Sequence, residues 1–325
     1  MIKTHEIVCI SESLSPISHM SGTEGNEAIL NREAVATSQG VQWVPSLSGN
    51  AIRHKAVRAP GMRWLADAYG LSGSLTLAQY NYLFHGGALT LSTKVEDLAR
   101  VADWQRLWPL GRLIGGCLPD QVLAGSLQTW RGVLACRENA TAMRAILPPE
   151  LIPDRPLRSA ASLVDGWQYT RSGSASRNPD LLAEGQGAEG DLMIFAGQAV
   201  MRGAVWVHGF TLPHVSDVEV GALLWSLSLW QQEGGTIGGM SARGHGRLAT
   251  SIVTDGLDVE GLIEGYKTYA MSVRDEAVAW LRDVFRKCDD KAAAKEEKKA
   301  AAKPKKAKPE PAAVEEPNLF GGSED

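Results

Sequence analysis

The segment from residue 198 to residue 254 restricts the fold more than any other part of this chain. Its centre, "SDVEVGALLWSLSLWQQEGG", opens with Ser216 and Glu219 at the spacing of a capping box and closes at Gly234 and Gly235. These are the start and stop signals of a helix, and the apolar residues between them indicate packing on a core. The flanking stretches "QAVMRGAVWVHGFTL" and "GRLATSIVT" have the composition of strands. The segment therefore predicts strand, helix, glycine-rich loop and strand.

The N-terminal part of the chain predicts a second arrangement of the same kind. "IKTHEIVCI" has the pattern of a strand, a long loop follows it, and a helix starts near Ser48 in "SLSGNAIRHKAVRAPGMRWLADAYG". A β–α–β arrangement at each end of one chain predicts an α+β fold built on a split, ferredoxin-like sheet. RNA-recognition domains use the same topology.

The other regions are assigned from periodicity and composition. Residues 75–150 are largely helical in pattern and predict a helical insertion, whereas residues 165–197 are polar, rich in turn residues and expected to project. Residues 257–288 carry one apolar stripe at helical spacing, which predicts a closing helix. The Ala/Lys/Glu/Pro-rich residues 289–325 predict a disordered tail with at most a transient helix, so the folded part is expected to be residues 1–288.

Composition excludes several classes of function. The net charge of −4 argues against nucleic-acid binding over the whole surface, but it allows a local basic groove. The cysteines, at positions 9, 117, 136 and 288, have no metal-ligand spacing, which predicts isolated thiols in a cytoplasmic protein without metal. No stretch is long and apolar enough for a membrane span. No dinucleotide, Walker A, zincin or nucleophile-elbow motif is present, so we expect neither a cofactor nor a self-contained active site.

Two separate stretches carry signals for phosphate binding. In "VPSLSGNAIRHKAVR" a helix start at Ser48 and Asn50 offers free N–H groups, and a basic run follows it one turn later, formed by Arg53, His54, Lys55 and Arg58. In "GGTIGGMSARGHGRL" Gly238 and Gly239 allow close backbone approach to a phosphate chain, beside Arg243, His245 and Arg247. In a ferredoxin-like sheet these two stretches are expected to lie near each other, and together they predict a site for a sugar–phosphate backbone.

The long loop after the first strand supplies a third signal. In "SPISHMSG", His19 is placed to stack on a nucleobase or form a hydrogen bond with it, while Ser21 and Gly22 shape the turn.

These three motifs, in this order, resemble those of the RAMP superfamily, the repeat-associated proteins that form the backbone of CRISPR effector complexes. The resemblance implies an RNA-recognition-like palm, helical insertions and a projecting thumb hairpin at about residues 165–197, with Arg171 and Arg177 as RNA contacts. It also implies a cytoplasmic ribonucleoprotein. Its partners would be a guide RNA, a complementary target nucleic acid, further copies of this chain in a helical filament, and other CRISPR effector subunits.

One departure from the family pattern concerns catalysis. Backbone subunits that slice target RNA carry an aspartate in the first long loop, where this chain has Asn31 and Arg32, with Glu33 in a different register. The resemblance therefore implies a non-catalytic subunit, most like the type IV backbone, with a type I DNA-targeting backbone as the nearest alternative. Two rival functions are a RAMP-type endoribonuclease that processes repeat RNA, with His19 or His245 as general acid–base, and a protein scaffold that uses "GNAIRHKAVR" to contact acidic partners.

Overall fold

The computed structural model describes residues 3–90, 97–149, 156–172, 192–254 and 256–302. The chain divides into two units, residues 1–285 and residues 286–325. The described part is a mixed α+β structure with largely antiparallel sheets, which confirms the α+β part of the predicted fold class.

A central sheet in the first unit holds the N-terminal strand in its interior. Its strands run in the order β13–β1–β12–β9–β5–β4, and β8 pairs with β12 off this path. The bounds are β1 Lys3–Ser13, β4 Arg32–Thr37, β5 Gly40–Leu47, β8 Gln128–Thr129, β9 Gly132–Leu134, β12 Val205–Val215 and β13 Leu248–Val253. Strand β1 is antiparallel to both β12 and β13, so its alternate residues Ile7 and Cys9 are fully buried.

The helices that cover this sheet are built around α7, Asp217–Gln232. The capping box at its start is formed as predicted: the carboxylate of Glu219 accepts a hydrogen bond from the backbone N–H of Ser216 at 2.9 Å. The helix predicted at Ser48 is a continuous helical segment, made of α1 Gly49–Ile52, a π-helical stretch Arg53–Arg58 and α2 Ala59–Ala68. Both α2 and α8, Val259–Ser272, pack against α7.

A second sheet carries the region expected to project. Its order is β10–β11–β3–β2, with bounds β2 Met20–Glu24, β3 Glu27–Leu30, β10 Val164–Ser172 and β11 Leu192–Val200. Strands β10 and β11 form an antiparallel hairpin whose connecting residues, 173–191, lie outside the described residues.

The region predicted to be helical contains short strands as well as helices. Its elements are α3 Leu77–Tyr80, a π-helical stretch Asn81–His85, α4 Leu98–Leu107, α5 Pro109–Ile114, β6 Gly116–Cys117, β7 Val122–Leu123, β8, β9, a 3-10 turn Arg137–Asn139 and α6 Ala140–Ile146. A further 3-10 turn, Ala160–Leu163, leads into β10. Strand β9 joins β12 to β5 inside the central sheet. The region predicted to be a helical insertion therefore also supplies a strand of the central sheet.

Three boundaries differ from those predicted. The loop after β1 contains β2, β3, β4 and β5, because its strands alternate weakly and become stable only in pairs. Residues 198–212 form the end of β11 and most of β12 rather than one strand, with a turn at Gly203, whose φ is +80°. The closing stripe is divided between α8 and α9, Arg274–Ala302, at Val273; α9 therefore includes the start of the segment for which the sequence predicts a tail.

A buried polar chain links the sheet to α7. His208 is 1 % exposed, and its Nε2 lies 2.9 Å from the Ser11 hydroxyl, which is 2.8 Å from the hydroxyl of Thr250. Gln231 on α7 completes the chain, because its side chain donates to the Thr250 hydroxyl at 3.2 Å and accepts from the Thr250 backbone N–H at 2.9 Å. Burial lowers the pKa of His208 to about 4, so the imidazole is neutral in the folded protein at neutral pH.

Acid is expected to destabilise the fold through His208. The His208 imidazole binds a proton near pH 6.5 in the unfolded protein and only near pH 4 in the folded one. The contribution of the neutral ring to the free energy of unfolding is therefore complete above pH 6.5 and is lost as the pH falls from 6.5 towards 4. From pH 7 to pH 5 the contribution of His208 should decrease by roughly 2 kcal/mol. Urea denaturation at the two pH values measures it, and the His208→Gln variant should lose that part of the pH dependence. An equal pH dependence in both proteins would contradict the assignment.

Candidate nucleic-acid interface

The glycine loop, residues 234–247, packs directly on the first loop, residues 14–19. The backbone N–H of Gly239 donates to the carbonyl oxygen of Ser18 at 2.8 Å, and the N–H of Gly246 donates to that of Pro16, also at 2.8 Å. At the far end, the N–H of Leu14 donates to the carbonyl oxygen of Arg247 at 2.8 Å. These three bonds fix the two loops to each other along their length.

The glycine at position 238 is required by this close approach. Its φ is +74°, and a Cβ added there would lie 2.7 Å from the carbonyl oxygen of Ser18. A side chain would therefore meet both backbone strain and a backbone clash that no rotamer change relieves. The sequence motif predicted that Gly238 allows close approach of a phosphate chain; in the structure it allows close approach of the backbone at Ser18.

His19 joins the first loop to the start of the helical segment. Its Nε2 accepts a hydrogen bond from the backbone N–H of Ser48 at 3.1 Å, while the Ser48 hydroxyl accepts one from the N–H of Ala51 at 3.2 Å. Burial, and then the positive charge of Arg131, lower the pKa of His19, which keeps the ring neutral and able to accept. The two stretches predicted to converge are therefore connected through residues 18 and 19.

His245 holds a similar position on the glycine loop. Its Nδ1 lies 2.9 Å from the hydroxyl of Ser18, and its ring meets the edge of Trp167 at a centroid distance of 6.2 Å. Burial lowers the pKa of His245 as well. The loop is thus attached to the first loop on one side and to β10 on the other.

An aromatic face of the second sheet lies beside the glycine loop, and the sequence motifs gave no account of it. Trp167 and Tyr169 on β10 are parallel within 14° at 5.7 Å, and Tyr169 stacks on its cross-strand neighbour Phe195 at 5.1 Å. The guanidinium carbon of Arg243 lies 3.8 Å from the centre of the Tyr169 ring. The alternation of aromatic residues in "GWQYT" is the sequence signal that could have indicated this face.

Several cations lie on the segments that form this junction or next to them. Arg243, Arg247 and Lys55 are exposed, and none of them forms an ion pair within the described part of the chain. Arg53 is half-buried, and its Nε has no hydrogen-bond partner among the described residues. Arg131, which the motifs did not single out, lowers the pKa of His19 by its charge and forms an ion pair with Glu33 at 3.2 Å. The junction therefore presents positive charge on an acidic protein.

Arg58 is placed differently from the predicted phosphate contact. Its guanidinium donates to the carbonyl oxygens of Leu83 at 3.2 Å and Gly115 at 2.8 Å, and more weakly to those of Tyr82 and Ile114. Burial lowers its pKa to about 10, which still leaves it charged. The carbonyls at the ends of two helices attract this cation, so Arg58 holds the helical layer together and is not carried into the interface.

The other predicted site residues are distributed as follows. His54 turns toward the helical layer and stacks on His85 at 6.4 Å. Asn50 is exposed in the first turn of the helical segment, and Ser21 is exposed on β2. Of the two predicted thumb contacts, Arg177 lies outside the described residues, and only the backbone of Arg171, in β10, is described.

The position where an aspartate was sought is occupied by a structural amide. The side-chain N–H of Asn31 donates to the carbonyl oxygen of Ser46 at 2.8 Å, and Arg32 donates to the side chain of Gln198 at 2.9 Å. Both residues fasten the start of β4 to neighbouring strands.

The structure holds no arrangement of cysteines or metal ligands that adds to the interface within its described residues. Cys9, Cys117 and Cys136 form no disulfide bond within the described part of the chain. Among the described residues, no group of three or more His, Cys, Asp or Glu side chains is arranged to hold a metal ion. No helix in the part of the chain that the structure describes has the length and apolar character needed to cross a bilayer.

Comparison with known proteins gives a structural match without a sequence match. No family model matches the chain, and no curated protein matches it significantly. Solved structures do match, among them a chain described as "Type IV-B CRISPR Complex", with a TM-score of 0.52 and 18 % sequence identity. The match covers 78 % of this chain and 92 % of that one. This protein therefore shares, at a distance, the fold of a chain of a type IV-B CRISPR complex.

Proposed function

We propose that this protein is a non-catalytic backbone subunit of a CRISPR effector complex, most like type IV, that binds guide RNA and presents its bases for pairing with a target. The observation that carries the proposal is the junction of the first loop, the helix start at Ser48 and the glycine loop. Two stretches for which the sequence predicts phosphate binding, far apart in the chain, are joined there through Ser18 and His19.

The sheet supports the ferredoxin-like palm in this proposal. Strand order β13–β1–β12–β9 is the fourth, first, third and second strand of a β–α–β–β–α–β chain, which is the order of a ferredoxin-like sheet. In this assignment the helical segment from Gly49 is the first crossover and α7 is the second. The β10–β11 hairpin is the corresponding candidate for the thumb.

Positive charge gives the proposed mechanism. The exposed guanidinium of Arg247 and the ammonium of Lys55 are suited to phosphate oxygens. Contacts of this kind bind any sequence, so the choice of target is left to base pairing. The proposed partners are guide RNA, a complementary strand, further copies of this chain and other effector subunits in the cytoplasm.

The contacts of both histidines support a structural role for them. In an endoribonuclease, a general acid or base must reach the reacting hydroxyl or leaving group. Nε2 of His19 is occupied by the N–H of Ser48, and Nδ1 of His245 by the hydroxyl of Ser18. These bonds hold the loops together, which favours a binding function over the processing of repeat RNA.

The proposal is tested by coexpression with a repeat–spacer RNA. The protein should elute as a large particle with excess absorbance at 260 nm, and the RNA should stay intact over hours. In titrations with single-stranded RNA, Arg247→Gln should weaken binding and lower the slope of log affinity against log salt by about 0.7. Arg63→Gln is the matched control, because Arg63 is an exposed arginine that pairs with Asp67 on α2.

Two results would contradict the proposal. Monomeric, RNA-free protein at low salt would exclude the binding function. Cleavage of the repeat RNA that is lost in His19→Ala would instead support the endoribonuclease.

A further inference from the structure

Arg243 is held in an unusual place for a phosphate-binding arginine. Its guanidinium carbon lies over the Tyr169 ring, 3.8 Å from the ring centre, at the distance of a close cation–π contact. Tyr169 is in turn flanked by Trp167 and Phe195, with the three rings nearly parallel. The arginine therefore adds a planar cation to an aromatic cluster on β10 and β11.

The backbone keeps the arginine in this position. A 3-10 turn, Ser241–Arg243, lies between two residues in the left-handed region, Met240 at φ +61° and Gly244 at φ +82°. The carbonyl oxygen of Met240 accepts hydrogen bonds from the N–H groups of Arg243 at 2.9 Å and His245 at 3.3 Å. His245 then anchors the turn on Ser18 and Trp167.

Part of the Arg243 side chain remains accessible to a ligand. Arg243 is exposed, and it has no ion-pair partner among the described residues. A planar cation stacked on one side by an aromatic ring presents a flat surface of the kind on which nucleobases stack. Met193, on the same face of β11 as Phe195, is 43 % exposed and adds apolar surface nearby.

We infer that Arg243, supported by Tyr169, is a stacking site for one unpaired nucleobase of a bound single strand. This inference rests on the proposed function and deepens it, because it gives Arg243 a base contact in place of the phosphate contact predicted from the sequence. The ligand is an unpaired base of RNA or DNA, and Arg247 remains the phosphate contact.

The test distinguishes an arginine that stacks on a base through its planar group from one that acts only through its positive charge. Lysine keeps the positive charge but has no planar group to stack, so Arg243→Lys separates the two roles. With an oligouridylate probe, Arg243→Lys should lose about tenfold in affinity, or about 1.4 kcal/mol, and keep the salt slope of the wild type. Tyr169→Leu should lose a similar factor. Arg63→Lys, at an exposed arginine of α2 that pairs with Asp67, is the matched control and should bind as tightly as the wild type.

Two further probes identify the group that is bound. An oligomer of equal length with abasic residues should bind wild type and Arg243→Lys equally, because the stacking partner is missing. An oligodeoxyuridylate should show the same tenfold loss in Arg243→Lys as the RNA, since both sources supply a base.

The outcomes separate this inference from the proposed function. If Arg243→Lys binds oligouridylate as tightly as wild type, or if the loss is equally large with the abasic probe, Arg243 acts as a point charge and the stacking site is excluded while RNA binding stands. A loss seen with RNA alone would assign the contact to the ribose and would also exclude stacking. If the wild type binds neither the oligouridylate nor the oligodeoxyuridylate, the proposed function itself fails. Thermal unfolding checks the fold of Tyr169→Leu. If Tyr169→Leu is unstable, the measurements on Arg243→Lys decide the question.

Discussion

Gly238→Ala is expected to weaken the binding of single-stranded RNA by about tenfold or more. The new Cβ would lie 2.7 Å from the carbonyl oxygen of Ser18, at a backbone φ of +74°. The glycine loop would have to move off the first loop, because a backbone oxygen cannot rotate away as a side chain can. Displacing it by even 1 Å misaligns Arg243, Arg247 and the loop amides together. Fluorescence anisotropy with labelled RNA measures the loss.

Gly244→Ala is the matched control for this experiment. Gly244 has a similar φ of +82°, but an added Cβ would meet nothing within 4 Å. Both variants carry the strain of the left-handed region, of about 1 kcal/mol, whereas only Gly238→Ala carries the clash. Equal RNA affinity in the two variants would show that the contact with Ser18 does not position the interface.

Gly221→Ala is expected to lower the free energy of unfolding by about 3 kcal/mol. Gly221 lies on α7 where α8 crosses it, and an added Cβ would clash with the carbonyl oxygen of Leu262 and lie 2.9 Å from the Cβ of Tyr266. Tyr266 is 1 % exposed and α7 is buried between helices and sheet, so neither helix can shift without opening the core. Thermal denaturation should show a fall of roughly 5–10 °C in Tm.

Gly265→Ala is the comparison that isolates the helix crossing. Gly265 lies on α8, is exposed, and has open space where a Cβ would be added. Alanine should raise the stability there by roughly 0.5–1 kcal/mol, since glycine costs conformational entropy inside a helix. The same substitution should thus have opposite signs at two neighbouring helices. A destabilised Gly265→Ala together with a neutral Gly221→Ala would contradict the packing of α7 on α8.

The elements with strong local signals were predictable from the sequence. The N-cap at Ser48, the capping box at Ser216 and Glu219, and strand β13 are all found where local patterns indicate them. Caps and alternating strands depend on residues within a few positions of one another, so a short window contains the whole cause. The same holds for the glycine loop as a special backbone segment, although its partner is not visible locally.

The elements that depend on distant partners could not be predicted in this way. Strand β9 is three residues long and exists because β12 and β5 lie on either side of it. The aromatic face at Trp167 and Tyr169 depends on Phe195 across the hairpin and on Arg243 from the glycine loop. Tertiary contact also decides the role of a charge, because Arg58 was predicted to face phosphate and binds backbone carbonyls instead.

The sequence by itself therefore determined the order of the strand and helix signals at both ends of the chain and the residue types available for binding a nucleic acid. Only the tertiary structure decided which of these residues meet. Hydrogen bonds from Gly239 to Ser18 and from Ser48 to His19 join segments separated by more than two hundred residues in one case and about thirty in the other. Such contacts form only when the sheet has brought its loops to one edge, and no local pattern contains that information.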